Sequence, residues 1–180
     1  MPFANEKKTF LAKLDKSRKG EVDQRIIPLL NAINNLSEYY TTSSCSGRVY
    51  IYKSSGKKNE TQWINVSHEL IPVDFLTISE NGLLWLRLEG MILHIACKDI
   101  LAANALLEPV RRIYKKSCIL SASNKVIIEV RGSELLEMPL YQEGKLLFNG
   151  DLQWLQEWIN VKLQKIWDGS EKLEKIIEKI

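Results

Sequence analysis

A chain of 180 residues, 45% of them hydrophobic, has ample material for one sizeable core, and a single domain is the expectation. No run approaches the roughly 20 apolar residues of a membrane span, and the first residues carry no uninterrupted apolar stretch of a secretory signal, which predicts a cytoplasmic protein. Net charge is +3, from 25 basic and 22 acidic residues, so total charge does not mark a nucleic-acid binder. Three cysteines (Cys45, Cys97, Cys118) and two histidines (His68, His94), with no CxxC pair, exclude a disulfide framework and argue against a structural zinc site.

Phe3, Phe10, Leu11 and Leu14 fall near helical spacing and predict a short helix, ended by the basic turn Ser17-Arg18-Lys19-Gly20. A second helix is predicted from Asp23, with Pro28 in its first turn, and its pattern stops at Tyr39-Tyr40. Thr41-Thr42-Ser43-Ser44-Cys45-Ser46-Gly47-Arg48 then reads as a connecting loop rich in hydroxyls. Such a loop either caps backbone groups, as Ser and Thr do in many connections, or forms an anion nest in which Gly47 takes positive φ and Arg48 completes the site.

Gly47 to Lys53 and Thr61 to Val66 predict a hairpin around the basic turn that holds Lys57 and Lys58. Leu83 to Leu88 and Met91 to Ala96 flank Glu89-Gly90, the chemistry of a tight hairpin turn. From Asp99 the spacing is helical, with a kink expected at Pro109. Cys118 to Ser121 and Lys125 to Arg131 form another hairpin pattern, and Glu134 to Leu140 reads as an edge strand ended by Pro139. The tail from Asp151 is helical, with a break expected at Asp168-Gly169-Ser170, and Trp154 and Trp158 are expected in the core. The whole predicts an α+β fold, a mostly antiparallel sheet of hairpins with packed helices, possibly in two related halves. No strand precedes GxGxxG or GxxxxGK[ST], so neither a Rossmann cofactor site nor a P-loop is supported.

Three signatures occur together: Asp15-Lys16-Ser17-Arg18-Lys19-Gly20 with Asp23, then Tyr40 through Arg48, then Leu93-His94 with Ser117 and Ile119 downstream. As a set, from about residue 8 to 140, they resemble the tRNA wybutosine-synthesising protein 3 family. The chain departs from that pattern at Gly90, where a proline is expected, and at Cys118, where a glycine is expected. The resemblance implies a methyltransferase that uses S-adenosylmethionine on a fold other than Rossmann. Its expected target is a ring nitrogen of the tricyclic base made from guanosine 37 of phenylalanine tRNA. On that reading residues 1–180 are one methyltransferase-like domain, with the helical segment 151–180 as an extension.

Methyl transfer needs a positioned nucleophile and an acceptor for its proton. Asp15, Asp23 and His94 are the candidate acceptors, an aspartate near the basic turn being placed ahead of His94; Asp23 equally fits an N-cap, and His94 a half-buried strand histidine. Ser43, Ser44, Ser46, Gly47 and Arg48 are the candidate cofactor contacts, although the same groups suit a tRNA phosphate. Arg18, Lys19, Lys57, Lys58, Lys115 and Lys116 are the candidate nucleic-acid contacts, against the alternative of solvated surface. Two competing functions remain at this stage: a phosphate- or nucleic-acid-binding module without chemistry, and a hydrolase with Ser44 or Cys45 as nucleophile, served by His68 or His94.

Overall fold

The computed structural model describes residues 2–12, 22–53 and 61–180. Asp15, Arg18, Lys19, Lys57 and Lys58 lie outside these residues. The described elements are α1 (Phe3–Leu11), a 3₁₀ turn (Gln24–Ile26), α2 (Ile27–Asn35), β1 (Tyr39–Cys45), β2 (Arg48–Lys53), β3 (Gln62–Ser67), a 3₁₀ turn (Val73–Leu76), β4 (Leu83–Glu89), β5 (Ile92–Cys97), α3 (Ile100–Val110), β6 (Cys118–Ser121), β7 (Val126–Arg131), β8 (Leu135–Gln142), β9 (Lys145–Leu146) and α4 (Leu152–Ile177). The strands form two sheets, in the orders β1-β5-β7-β6 and β3-β2-β4-β8-β9. Every recorded strand pair is antiparallel. The fold is α+β, as expected.

The chain divides into two compact units. The first holds residues 1–46, 91–133 and 167–180; the second holds residues 47–90 and 134–166.

In the first unit, strand alternation sends Leu93, Ile95, Ile128 and Val130 to a fully buried inner face. Helix α2 packs against β1, and α3 against β5 and β7. Tyr39 donates its hydroxyl to Ala102 O of α3 at 3.0 Å. The Asp99 side chain caps α3 by accepting from Ala102 N at 2.8 Å, as its sequence position suggests. Pro109 falls in the last turn of that helix. On the outer face, Phe3 and Phe10 of α1 pack on the Tyr40 ring, and Glu6 accepts from Tyr40 and pairs with Lys125. Hydrogen bonding to Lys125 and then to Tyr40 holds the Glu6 carboxyl below its ordinary range.

In the second unit, Val49, Ile51, Leu84, Leu86, Leu88 and Leu140 are buried on one face of the five-stranded sheet. The N-terminal part of α4 presents Leu155, Ile159, Leu163 and Ile166 as a buried stripe. Gln156 and Asn160 fasten the helix to the Ile71 backbone, with Asn160 both donating to Ile71 O and accepting from Ile71 N at 2.9 Å.

Five local expectations are corrected. Helix α2 ends at Asn35, because Leu36 is extended, and Tyr39-Tyr40 open a strand. Residues 83–89 and 92–97 are not a hairpin: β4 pairs with β2 and β8, and β5 with β1 and β7, so Glu89-Gly90 passes the chain from one sheet to the other. Strand β8 lies between β4 and β9 and continues past Pro139 to Gln142; a register shift at Leu84/Trp85, opposite the proline, absorbs its missing donor. Helix α4 runs unbroken through Asp168-Gly169-Ser170. A Cβ on Gly169 would lie 2.8 Å from the Tyr114 hydroxyl oxygen, so this glycine serves close packing, not termination. Trp154 and Trp158 are 54% and 41% exposed, because the burial stripe of α4 runs through Leu155 and Ile159 instead.

The Lys162 ammonium lies over the Trp158 ring and also pairs with Glu134 at 2.7 Å, beside Lys165 at 2.7 Å. These two lysines hold the Glu134 carboxyl below its ordinary range. A group whose folded value is depressed stabilises above its unfolded value and loses that contribution as pH falls through the folded one. Urea titrations of Glu134→Gln are therefore expected to show a deficit of about 1 kcal/mol at pH 7. That deficit should vanish below the folded pKa, once the wild-type carboxyl is protonated.

Gly47 has φ +100°, and an added Cβ would lie 2.8 Å from Ile166 Cγ2 and 3.2 Å from Glu89 O. Backbone strain and overlap act together here, so Gly47→Ala is expected to cost about 2–3 kcal/mol. A lowered urea midpoint at unchanged m-value would show it.

Candidate active site

The hydroxyl-rich stretch is a strand. Thr41 to Cys45 pair with β5, in the register Ser43↔His94, Ser44↔Leu93 and Cys45↔Ile92. Threonine and tyrosine favour strands, and a polar run suits a strand with one face open. A bulge at Thr42 locally re-aims it, and the Thr42 hydroxyl donates to His94 O at 3.2 Å.

Alternation then sorts the side chains. Ser43 and Cys45 share the outer face with His94, whereas Ser44 is opposite Leu93 on the inner face. Ser44 is therefore placed away from His94, which removes it as a nucleophile served by that histidine. Among the described residues, neither the Ser43 nor the Ser44 hydroxyl has a recorded hydrogen-bond partner. Ser43 is exposed.

Across the first sheet the register continues from Ser43 through His94 and Glu129 to Cys118, four residues in one row on four strands. His94 Nε2 lies 3.1 Å from Glu129 Oε2, with the two side chains 27% and 16% exposed. Glu129 is the residue that sequence reasoning missed. It sits in Val126-Ile127-Ile128-Glu129-Val130, where one acidic residue interrupts an apolar strand, but only the register identifies His94 as its partner. Lys115 and Lys116 are exposed just ahead of β6, whose first residue, Cys118, ends that row.

Asp23 does not cap the helix that follows it. Its Oδ2 accepts from both Ser46 N and Ser46 Oγ, each at 3.0 Å, and both residues are buried. The amide and hydroxyl that an external anion would have used thus already hold an internal carboxylate. The first and second signatures meet here, through Asp23 and Ser46.

Arg48 belongs to the second unit, where Glu89 takes its Nε at 2.9 Å and its Nη2 at 2.8 Å. The guanidinium also lies over the Trp63 and Tyr50 rings. Glu89 in turn accepts from the Tyr50 hydroxyl and pairs with Arg87. Burial, reinforced by Glu89, pushes the Tyr50 hydroxyl up to about 12. Cys97 is a buried thiol, pushed up to about 12 mainly by desolvation, and so is poorly suited to act as a nucleophile.

Residues 5–180 match the family model described as Methyltransferase TYW3. A Methanocaldococcus jannaschii protein named tRNA(Phe) 7-((3-amino-3-carboxypropyl)-4-demethylwyosine(37)-N(4))-methyltransferase is 36% identical, over 92% of this chain and 91% of its own. The human tRNA wybutosine-synthesizing protein 3 homolog is 29% identical, over 96% of this chain and 70% of its own. A solved Pyrococcus horikoshii structure superposes with a TM-score of 0.87 at 33% identity, covering 98% of this chain and 96% of that one. A fold shared over almost the whole length, with a family match across all three signatures, identifies the chain as a member of the TYW3 methyltransferase family.

Proposed function

We propose that this protein methylates a ring nitrogen of the tricyclic wyosine-type base at position 37 of phenylalanine tRNA, with S-adenosylmethionine as donor. The observation that carries the reading is the row Ser43, His94, Glu129, Cys118 on the outer face of the first sheet. It sets an imidazole beside an uncommitted hydroxyl, where a substrate base can approach. The substrate is taken from the names of the archaeal relatives.

S-adenosylmethionine supplies an electrophilic methyl group on a sulfonium. The residues present fit its polar groups: the Ser43 hydroxyl is exposed and open to a carboxylate or ribose oxygen. We assign the cofactor contact to Ser43 ahead of Ser44, Ser46, Gly47 and Arg48. Ser44 faces inward, Ser46 serves Asp23, Gly47 is enclosed by Ile166 and Glu89, and the Arg48 fork serves Glu89. His94 is the proton acceptor, and Asp23 fixes the end of β1 through Ser46. Asp15 keeps only its sequence-based candidacy, as do Arg18, Lys19, Lys57 and Lys58 for RNA.

Lys115 and Lys116 are assigned to tRNA phosphates. Each should lower the salt slope of tRNA binding by about 1 when replaced with alanine. Both units serve one methyltransferase-like domain, with 151–180 as its extension, because neither unit is a continuous stretch of chain. No described helix is long and apolar enough to cross a membrane; we place the protein in the cytoplasm, with its tRNA.

Calorimetric titration of S-adenosylmethionine tests the cofactor assignment. Saturable binding, weakened by Ser43→Ala in a protein that still folds, is expected. Absence of binding by the wild type, with and without tRNA, would leave a phosphate-binding module as the better reading.

A further inference from the structure

The His94–Glu129 contact fixes which imidazole nitrogen carries a proton. An ionised carboxylate only accepts, so the 3.1 Å contact makes Nε2 the donor and leaves the lone pair of the neutral ring on Nδ1. Among the described residues no hydrogen bond to Nδ1 is recorded, and the neighbour across the ring from Glu129 in the same row is Ser43. A cross-strand pair of this kind adds little stability. Withdrawing a carboxylate from water costs more than such a pair returns unless specific bonds offset it. Stability alone is therefore a poor reason for a largely buried glutamate in the middle of an apolar strand.

We propose that Glu129 is a positioning residue for methyl transfer, holding His94 in the Nε2–H tautomer so that Nδ1 is the atom that receives the substrate's proton. This rests on the reading of His94 as proton acceptor. As the substrate nitrogen bonds to the methyl carbon, the carbon–sulfur bond of the donor breaks with its electron pair left on sulfur. The proton of that nitrogen passes to Nδ1, and the resulting imidazolium is stabilised by Glu129 through Nε2–H. Other titratable groups on the described part of this face include Cys45, with Asp23 beside it, Cys118 and Arg131, with Tyr40, Glu6, Lys98 and Lys125 toward α1.

The chain has only two histidines, which makes a direct measurement practicable. In full-length protein carrying His68→Gln and ¹⁵N-labelled imidazole, two-bond ¹H–¹⁵N correlations report the His94 tautomer at each pH. The expected result is Nε2–H in that protein, with a shift toward Nδ1–H on adding Glu129→Gln. In parallel, kcat should fall about 10–10³-fold in Glu129→Gln with KM for tRNA nearly unchanged, and Glu129→Asp should recover part of it. An unchanged tautomer in a folded Glu129→Gln protein would overturn the positioning role. A shifted tautomer with unchanged kcat would overturn the proposal through His94 instead, and His94→Gln would then be equally active.

Discussion

Replacing His94 with glutamine is expected to lower kcat for methyl transfer by about 10²–10⁴-fold, the range that a positioned general base contributes. Glutamine keeps a polar group of similar reach on the outer face but cannot accept and hold a proton near neutral pH. The loss should therefore appear in kcat, with tRNA affinity little changed, because no phosphate contact is removed. Stability should change little: the His94 side chain is partly exposed, and the glutamine amide can still donate to Glu129. Single-turnover rates at saturating tRNA, set beside tRNA binding curves, separate these effects.

Asp23→Ala is expected to be the most destabilising of the substitutions considered, at about 3 kcal/mol. Ser46 N and Ser46 Oγ both donate to Asp23 Oδ2 in a buried setting, and each donor that loses its acceptor costs about 1–3 kcal/mol. Asp23→Asn keeps a carbonyl oxygen that accepts from the Ser46 amide, so it should cost less, about 1 kcal/mol. Urea unfolding of the two variants separates loss of the acceptor from loss of the charge. Activity should fall further in Asp23→Ala than in Asp23→Asn, because Ser46 directly follows the strand that carries Ser43.

Much of the fold is legible in the sequence where pattern and turn chemistry agree. The hairpins around residues 54–60 and 122–125 follow from strand-like runs on either side of polar turns, and α3 follows from Asp99 and its helical repeat. The misreadings have physical causes. Thr41 to Cys45 looks like a loop because its outer face is polar and a bulge at Thr42 disturbs alternation. Glu89-Gly90 has hairpin chemistry, but β4 finds a better apolar partner in β8, where Leu88 meets Leu136 and Leu86 meets Met138. Gly169 reads as a helix stop because sequence alone cannot show the Tyr114 hydroxyl packed against it.

The candidate site divides in the same way. His94 and Asp23 can be named from the signatures that carry the resemblance. Their partners cannot: Glu129 stands 35 residues from His94, and Ser46 stands 23 from Asp23. Strand register alone makes these neighbours, and register is invisible to local spacing. Arg48 likewise looked like a free fork until Glu89 was placed opposite it.

Transfer of a labelled methyl group from S-adenosylmethionine to tRNA(Phe) bearing the demethylwyosine-type base is the most direct test of the central claim. The account predicts label in the position-37 base with wild type, and at least about 10²-fold slower labelling with His94→Gln. No label from folded wild type, or equal rates from the two proteins, would contradict it.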